Sequence, residues 1–278
     1  MLIGNKSAVR TPEFHKKKER ERMVKNALIV LGTIVVIVLP IYALRTQKLQ
    51  IQNIHLAGNT VTKDEDIQRI VAQDLEGNYA WFFPRSGDVV YPAKKIEADL
   101  LRAIPRLASV DVSLTDPRTL RVSVSERMPV ALYCKDVSVP SAPAGCYFID
   151  DQGFIFSEAP SFSPGVYQVY AEDPSLDAPL GQTYLAPAAF APLTPFLKSL
   201  GEIGLYPKAF VIKNGEYHLV LSNGGEIIFM PNADLELVHS NLSSLVVNPS
   251  FQKDGSLNTL RYIDLRFGNK IFYKFNNA

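Results

Sequence analysis

Polar and apolar residues alternate cleanly along one stretch of the chain. Leu120, Val122 and Val124 alternate with Arg121, Ser123 and Ser125, the period of a half-buried strand. Val110, Val112 and Leu114 repeat the pattern, with Asp116-Pro117 in the turn between the two runs. Ahead of them the period changes. Ile67, Ile70, Val71 and Leu75 fall on one helical stripe behind Thr62-Lys63-Asp64-Glu65, which predicts a capping box with Thr62 as N-cap. Ile96, Leu100, Ala103 and Ile104 form a second stripe between Pro92 and Pro105. Leu49 to Leu56 reads as a short opening strand, closed by the turn signal Ala57-Gly58-Asn59. The order is β-α-α-β-β, a sheet whose one apolar face two amphipathic helices cover.

The alternation then runs into Ser125-Glu126-Arg127-Met128-Pro129. Glu126 has the parity of the buried face, and Pro129 has no N–H for a ladder, so one ladder stops here and another starts at Val130. An ordinary exposed strand end is the competing reading. Residues 128–278 are strand-rich and read as a larger, mostly antiparallel β domain with flanking helices. Phe210 to Lys213, Tyr217 to Leu221 and Glu226 to Met230 form a meander, turning at Asn214-Gly215 and Asn223-Gly224. Ala188 to Ile203 and Asp234 to Val246 read as helices, the first despite Pro192 and Pro195. A last hairpin turns at Gly268-Asn269.

Composition adds topology. The 278 residues are 47% apolar with a net charge of +1, globular composition for about two domains and no general nucleic-acid binder. Ala27 to Leu44 carries no charge and spans roughly 27 Å as a helix, about one hydrocarbon core. Residues 26–45 are therefore expected to cross a membrane. Tyr42-Ala43-Leu44 is a poor site for signal-peptide cleavage. Lys6, Arg10, Lys16, Lys17, Lys18, Arg20, Arg22 and Lys25 outweigh the acids before the span, which puts the tail 1–25 in the cytoplasm and the rest outside. A nucleic-acid role for the tail is the weaker reading.

The search for chemistry returns little. The four histidines lack metal-ligand spacing, and there is no nucleophile elbow or phosphate-binding glycine loop. Asp150 and Asp151 fit a turn better than an acid/base pair, and Asp264 and Arg266 share a strand parity that suits a structural ion pair. No catalytic residue, metal site, cofactor or small-molecule substrate is expected. Trp81 sits in a loop where it either contacts a partner, dips toward lipid or packs over helix ends. Cys134 ends one strand pattern and Cys146 begins the next, so outside the cytoplasm a disulfide is expected, against the alternative of two buried thiols. Lys270 to Phe275 is expected at a sheet edge, with Ile271, Tyr273 and Phe275 pointing one way and Phe272 and Lys274 the other. Such an edge can accept a partner strand. The alternative is an edge kept quiet by Lys270 and Lys274, its aromatics packed on the domain's own core.

The β-α-α-β-β order over residues 49–127 is the layout of a POTRA domain. With the basic tail, the apolar span, the exit strand Val124-Ser125-Glu126-Arg127-Met128-Pro129-Val130-Ala131, the run Tyr147 to Phe156 and the run Tyr262 to Lys270, the chain resembles the FtsQ/DivIB family of bacterial cell-division proteins. The cysteine pair and the Trp81 segment depart from the family's well-known members. The resemblance implies an α+β chain: one transmembrane helix, a POTRA domain, then a β domain, with Glu126, Arg127 and Pro129 at the junction. It implies a non-enzymatic divisome scaffold that links early and late division proteins and helps control septal peptidoglycan synthesis. Its partners would be FtsB-like and FtsL-like proteins, the former recruited at Ile271 to Phe275, and other divisome members through the POTRA domain. It would be a single-pass type II protein of the bacterial inner membrane. The alternatives are a POTRA-type translocation or envelope assembly factor, though no run of about eight barrel strands follows, and a tethered cell-wall hydrolase, for which no nucleophile or metal set is found.

Overall fold

The computed structural model describes residues 12–44, 50–79, 83–87, 91–135, 145–160, 165–268 and 270–276. It begins with a long helix, α1 (Pro12–Leu44). Among the described residues no helix is long and apolar enough to cross a membrane. The expectation of a span at residues 26–45 is therefore not met within them. The reason lies in the described side chains from Glu19 to Val36, which include Glu19, Arg20, Glu21, Arg22 and Lys25 and bring too much charge into the apolar window.

The chain then divides into two compact units, one of residues 1–100 and 110–124, the other of residues 101–109 and 125–278. The first holds β1 (Asn53–Ala57), α2 (Asp64–Leu75), the short pair β2 (Asn78–Tyr79) and β3 (Phe83–Pro84), and most of α3 (Ala93–Ala103), β4 (Leu107–Asp116) and β5 (Thr119–Glu126). The sheet order is β1-β5-β4, with β1 parallel to β5 from Asn53↔Thr119 to Ala57↔Ser123. The two predicted stripes form the core: Ile67 and Val71 from α2, Ile96 and Leu100 from α3, and Leu120, Val122 and Val124 from β5 are buried. Gly58 (φ +93°) lies so close to β5 that a Cβ there would clash with the Val124 carbonyl oxygen. Asp74, buried on α2, pairs with Lys95 of α3, which also reaches Asp99 at 2.7 Å.

Three expectations are corrected in this unit. The opening strand starts at Asn53, later than Leu49. Helix α2 starts one residue later than the capping box required, with Lys63 as N-cap and no side-chain cap bond. The Asn59 amide instead fixes the approach, donating to the Thr62 carbonyl at 3.0 Å and to the Asp64 carboxylate at 2.5 Å. The loop reading around Trp81 misses the β2–β3 ladder, in which Tyr79 pairs with Phe83; Trp81 itself lies outside the described residues.

The second unit is one nine-stranded sheet under helices. Its elements are β6 (Ala131–Cys134), β7 (Cys146–Ile149), β8 (Ile155–Glu158), β9 (Gln168–Asp173), α4 (Pro187–Phe190), α5 (Leu193–Glu202), β10 (Pro207–Lys213), β11 (Glu216–Leu221), β12 (Glu226–Phe229), α6 (Leu235–Val246), α7 (Pro249–Asp254), β13 (Leu260–Phe267) and β14 (Lys270–Phe275). The spatial order is β14-β13-β12-β11-β10-β9-β6-β7-β8. Five of its pairings are antiparallel. Three are parallel, β10–β9, β12–β13 and β6–β9.

One face carries the main core. Tyr133, Tyr170, Phe210, Leu219, Phe229 and Ile263 from alternate strand positions meet Phe190, Leu193, Phe196 and Leu200 from α4 and α5, with Leu242 and Phe251 from α6 and α7. The single helix expected over Ala188 to Ile203 is two helices. Pro192 is the N-cap of α5, where its missing N–H costs nothing, and Pro195 sits in the first turn. Asp234 caps α6 by accepting from the Glu236 and Leu237 N–H groups at 2.9 and 3.3 Å. Helix α7 was not expected; Asn248 caps it and Pro249 takes its first position.

The core is rich in phenols. Tyr133 Oη accepts the Leu176 N–H at 2.7 Å, and Tyr184 Oη donates to the Ala171 carbonyl at 2.7 Å. Burial pushes the Tyr170 pKa up to about 12 and also raises those of Tyr184, Tyr133 and Tyr217. A raised phenol pKa means that the folded state keeps a proton the unfolded chain releases. This contribution to stability is complete below the unfolded value of 10.0 and is lost as pH climbs from there toward the folded value near 12. The melting temperature should accordingly hold to about pH 9.5 and fall steeply above pH 10. Tyr170→Phe should flatten that fall, and a slope identical to wild type would contradict the assignment.

Candidate functional site

Among the described residues, strand β14 occupies one end of the nine-stranded sheet and pairs only with β13. The other end is closed. Ile155 of β8 donates to the Gln182 carbonyl at 2.9 Å and accepts from Gly181 N–H at 2.8 Å, so a loop lies against that edge. The register of β13 and β14 slips twice, and each time β13 holds the extra residue, leaving β14 regular. Asn276 N–H donates to the Thr259 carbonyl at 2.7 Å, toward β13. Counting back along a regular strand, the N–H groups of Ile271, Tyr273 and Phe275 face outward.

The side chains divide by the same period. Ile271, Tyr273 and Phe275 are half-buried and pack against the main core. Tyr273 and Phe275 stand 4.9 and 5.1 Å from the Phe251 ring, and Tyr273 Oη donates to Asp254 at 2.8 Å. The fit is close at Gly255, where a Cβ would meet the Phe275 ring at 2.6 Å. Lys270, Phe272 and Lys274 lie on the opposite, open face. Phe272 is 49% exposed and meets Phe267, 55% exposed, edge to face at 5.4 Å. An open groove beside them is lined by Ile228, Tyr262, Arg266 and Phe267.

The carboxylates of this face are engaged. Arg266 chelates Asp264 through Nε at 2.9 Å and Nη2 at 2.5 Å, and gives Nη1 to Glu216 at 2.7 Å. The Arg266 hydrogen bonds hold the Asp264 pKa below the usual carboxylate range, while Asp264 and then Glu216 raise that of Arg266. His218, nearly buried, has Nδ1 3.1 Å from Glu226 and Nε2 3.5 Å from Glu216. These groups form a structural charge network across β11, β12 and β13.

Glu126 ends β5 and Pro129 falls in the gap before β6. Arg127 is the residue that holds this gap. Its N–H donates to the Arg106 carbonyl at 2.8 Å and its Nε to the Pro105 carbonyl at 3.1 Å. Its Nη1 reaches Asp150 at 2.5 Å, and its guanidinium lies 4.2 Å above the Phe154 ring. Asp150, nearly buried, also accepts the Gln152 and Phe154 N–H groups at 2.9 Å each, which makes Asp150-Asp151-Gln152-Gly153 a turn. Arg106 sits alongside, over Phe156 at 5.3 Å and bonded to Ser157 Oγ at 2.8 Å. At the far end of the β6–β7 hairpin, Cys134 and Cys146 are directly opposite and joined by a disulfide. The hairpin is thus tied at both ends.

Sequence reasoning did not find Phe251, Phe267, Arg106 or the Arg127–Asp150 pair. Only the last left a signal, a charge at a strand exit facing an acidic turn. Among the described residues no group of three His, Cys, Asp or Glu side chains is placed to hold a metal ion.

Residues 49–127 match the family model described as POTRA domain, FtsQ-type; the residues after 127 lie outside the match. The chain is thus of the class that carries an FtsQ-type POTRA domain. The match agrees with the resemblance to the FtsQ/DivIB family over the POTRA residues and suggests a role in cell division through protein–protein contacts. No curated protein matches the chain.

The disulfide yields a test. Closing a loop of this length contributes roughly 3 kcal/mol in the chain-entropy picture. The double variant Cys134→Ala/Cys146→Ala should lose about that much in urea unfolding, and a reductant should then have no further effect on it. Two reactive thiols in the unfolded, unreduced wild type would show that the bond is not formed.

Proposed function

We propose that the protein is a non-enzymatic scaffold of the bacterial divisome that links early and late division proteins and helps control septal peptidoglycan synthesis. The observation that carries this reading is the FtsQ-type POTRA match over residues 49–127. Residues 128–278 form the β domain of the proposal, and FtsB-like and FtsL-like proteins are its partners. The β14 edge, Ile271, Phe272, Tyr273, Lys274 and Phe275, takes a partner strand. Support comes from its outward N–H groups, from a strand held in place by the Phe251 contacts and from the closure of the opposite edge by the 181–182 loop. Glu126, Arg127 and Pro129 mark the passage between the two domains.

We place the protein in the inner membrane as a single-pass chain, N-terminus inside. The reading rests on the uncharged stretch Ala27 to Leu44 and on the basic residues before it. The bond between Cys134 and Cys146 is consistent with an oxidising compartment for the outer domains.

Tyr273→Pro removes an outward donor and spares the β13 ladder. It should leave the protein folded and abolish capture of the FtsB-like partner in pull-downs, as should Ile271→Pro. Folded variants that capture the partner at wild-type level would refute strand addition. For topology, Arg10→Cys should resist an impermeant thiol reagent in intact cells once the outer membrane, where there is one, is permeabilised, and Pro160→Cys should react. The reverse pattern would invert the assignment.

A further inference from the structure

The open face of β14 carries an unbalanced charge. Arg266 is spent on Asp264 and Glu216. Lys270 and Lys274 are exposed, and among the described residues neither has a carboxylate within ion-pair distance. Between them stands Phe272, half exposed, with Phe267 against it. Read along the edge, the pattern is cation, aromatic, cation at alternate positions.

A strand added beside β14 places its own alternate side chains opposite these three, with Cβ atoms about 5 Å away. Resting on the strand-addition reading above, we propose that this edge selects a protein segment with acidic residues at alternate positions around a central apolar one. The acids would meet Lys270 and Lys274, and the apolar side chain would lie on Phe272 and Phe267. The same lysines reject the wrong occupant. A second copy of β14 paired antiparallel about Phe272 would set Lys270 against Lys274 twice, and like charges directly opposite are destabilising. Lysine on an edge strand is a common guard against indiscriminate pairing. Here the guard also sets the chemistry of the permitted partner.

The test uses the detergent-solubilised full-length protein and two labelled synthetic peptides of one extended sequence. In one, glutamates flank a central valine at alternate positions; in the other, lysines replace the glutamates. The acidic peptide should bind about tenfold tighter, from two attractive pairs in place of two repulsive ones. The variant Lys270→Glu/Lys274→Glu should reverse the order, and about 0.5 M salt should erase most of the difference. Equal affinities, tighter binding of the basic peptide, or binding of neither would overturn the proposal. Loss of acidic-peptide binding in Tyr273→Pro, with no effect of the charge reversal, would leave strand addition standing and remove the charge selection. Sensitivity to charge reversal with full binding to Tyr273→Pro would instead remove strand addition and this proposal with it.

Discussion

The period of two along β14, fixed by burial of one sheet face, decides what the edge can do. The nine-stranded sheet has helices on one side, and the main core is built from the alternate strand positions that face them. In β14 that side takes Ile271, Tyr273 and Phe275, which leaves Lys270, Phe272 and Lys274 on the open face. A slip of one residue would expose the core aromatics and bury two lysines. Register is therefore held by the Phe251 rings and the tight fit at Gly255, while the backbone groups of the same residues stay available at the edge. Packing and exposure do not compete here, because they use different atoms of the same three residues.

The opposite half of the sheet needs other means. Strands β6, β7 and β8 have four residues each, too short to hold by ladder bonds alone. The β6–β7 hairpin is tied by the disulfide at its loop end and by Arg127–Asp150 at its open end. Asp150 has two tasks: it receives Arg127, and it accepts the two N–H groups that shape the turn into β8. Removing it would leave a half-buried guanidinium and two turn donors without their acceptor, the costly kind of loss in a low-dielectric setting.

Much of this was legible from the chain. Ile67, Val71, Ile96, Leu100, Leu120, Val122 and Val124 were readable as core because their periods, 3.6 and 2, are those of the elements they occupy. The meander β10–β11–β12 was readable from Asn214-Gly215 and Asn223-Gly224, of which Asn214, Gly215 and Gly224 take the positive φ of a tight turn. The misses are tertiary or depend on single residues. Thr62 lost the cap because the chain enters α2 one residue later, with Asn59 holding the approach. The break at Pro192 was visible as a blemish but was outweighed by the apolar stripe on either side, which both helices do bury. The parallel pairings of β9 with β6 and β10 join segments distant in sequence, which alternation within a strand cannot report. For the edge, side-chain parity was legible, whereas the outward N–H groups depend on the two irregularities in β13, which no residue pattern announces.

Three arginines and the two edge lysines of the second unit are used differently. Arg127 and Arg266 each make several directed bonds, to carboxylates or a backbone carbonyl, Arg106 makes one to a hydroxyl, and each guanidinium lies over an aromatic ring. The planar fork of arginine suits that work, since its donors are fixed relative to one another and little freedom is lost per bond. Lysine offers a mobile point charge on a flexible stem, a poor strut but a good antenna. Lys270 and Lys274 are left exposed at the edge, where a charge that can move toward an incoming carboxylate has use and a rigid one would need the partner already in register. On the strand-addition proposal, an edge whose backbone supplies affinity and whose lysines supply sign needs no pocket to be selective.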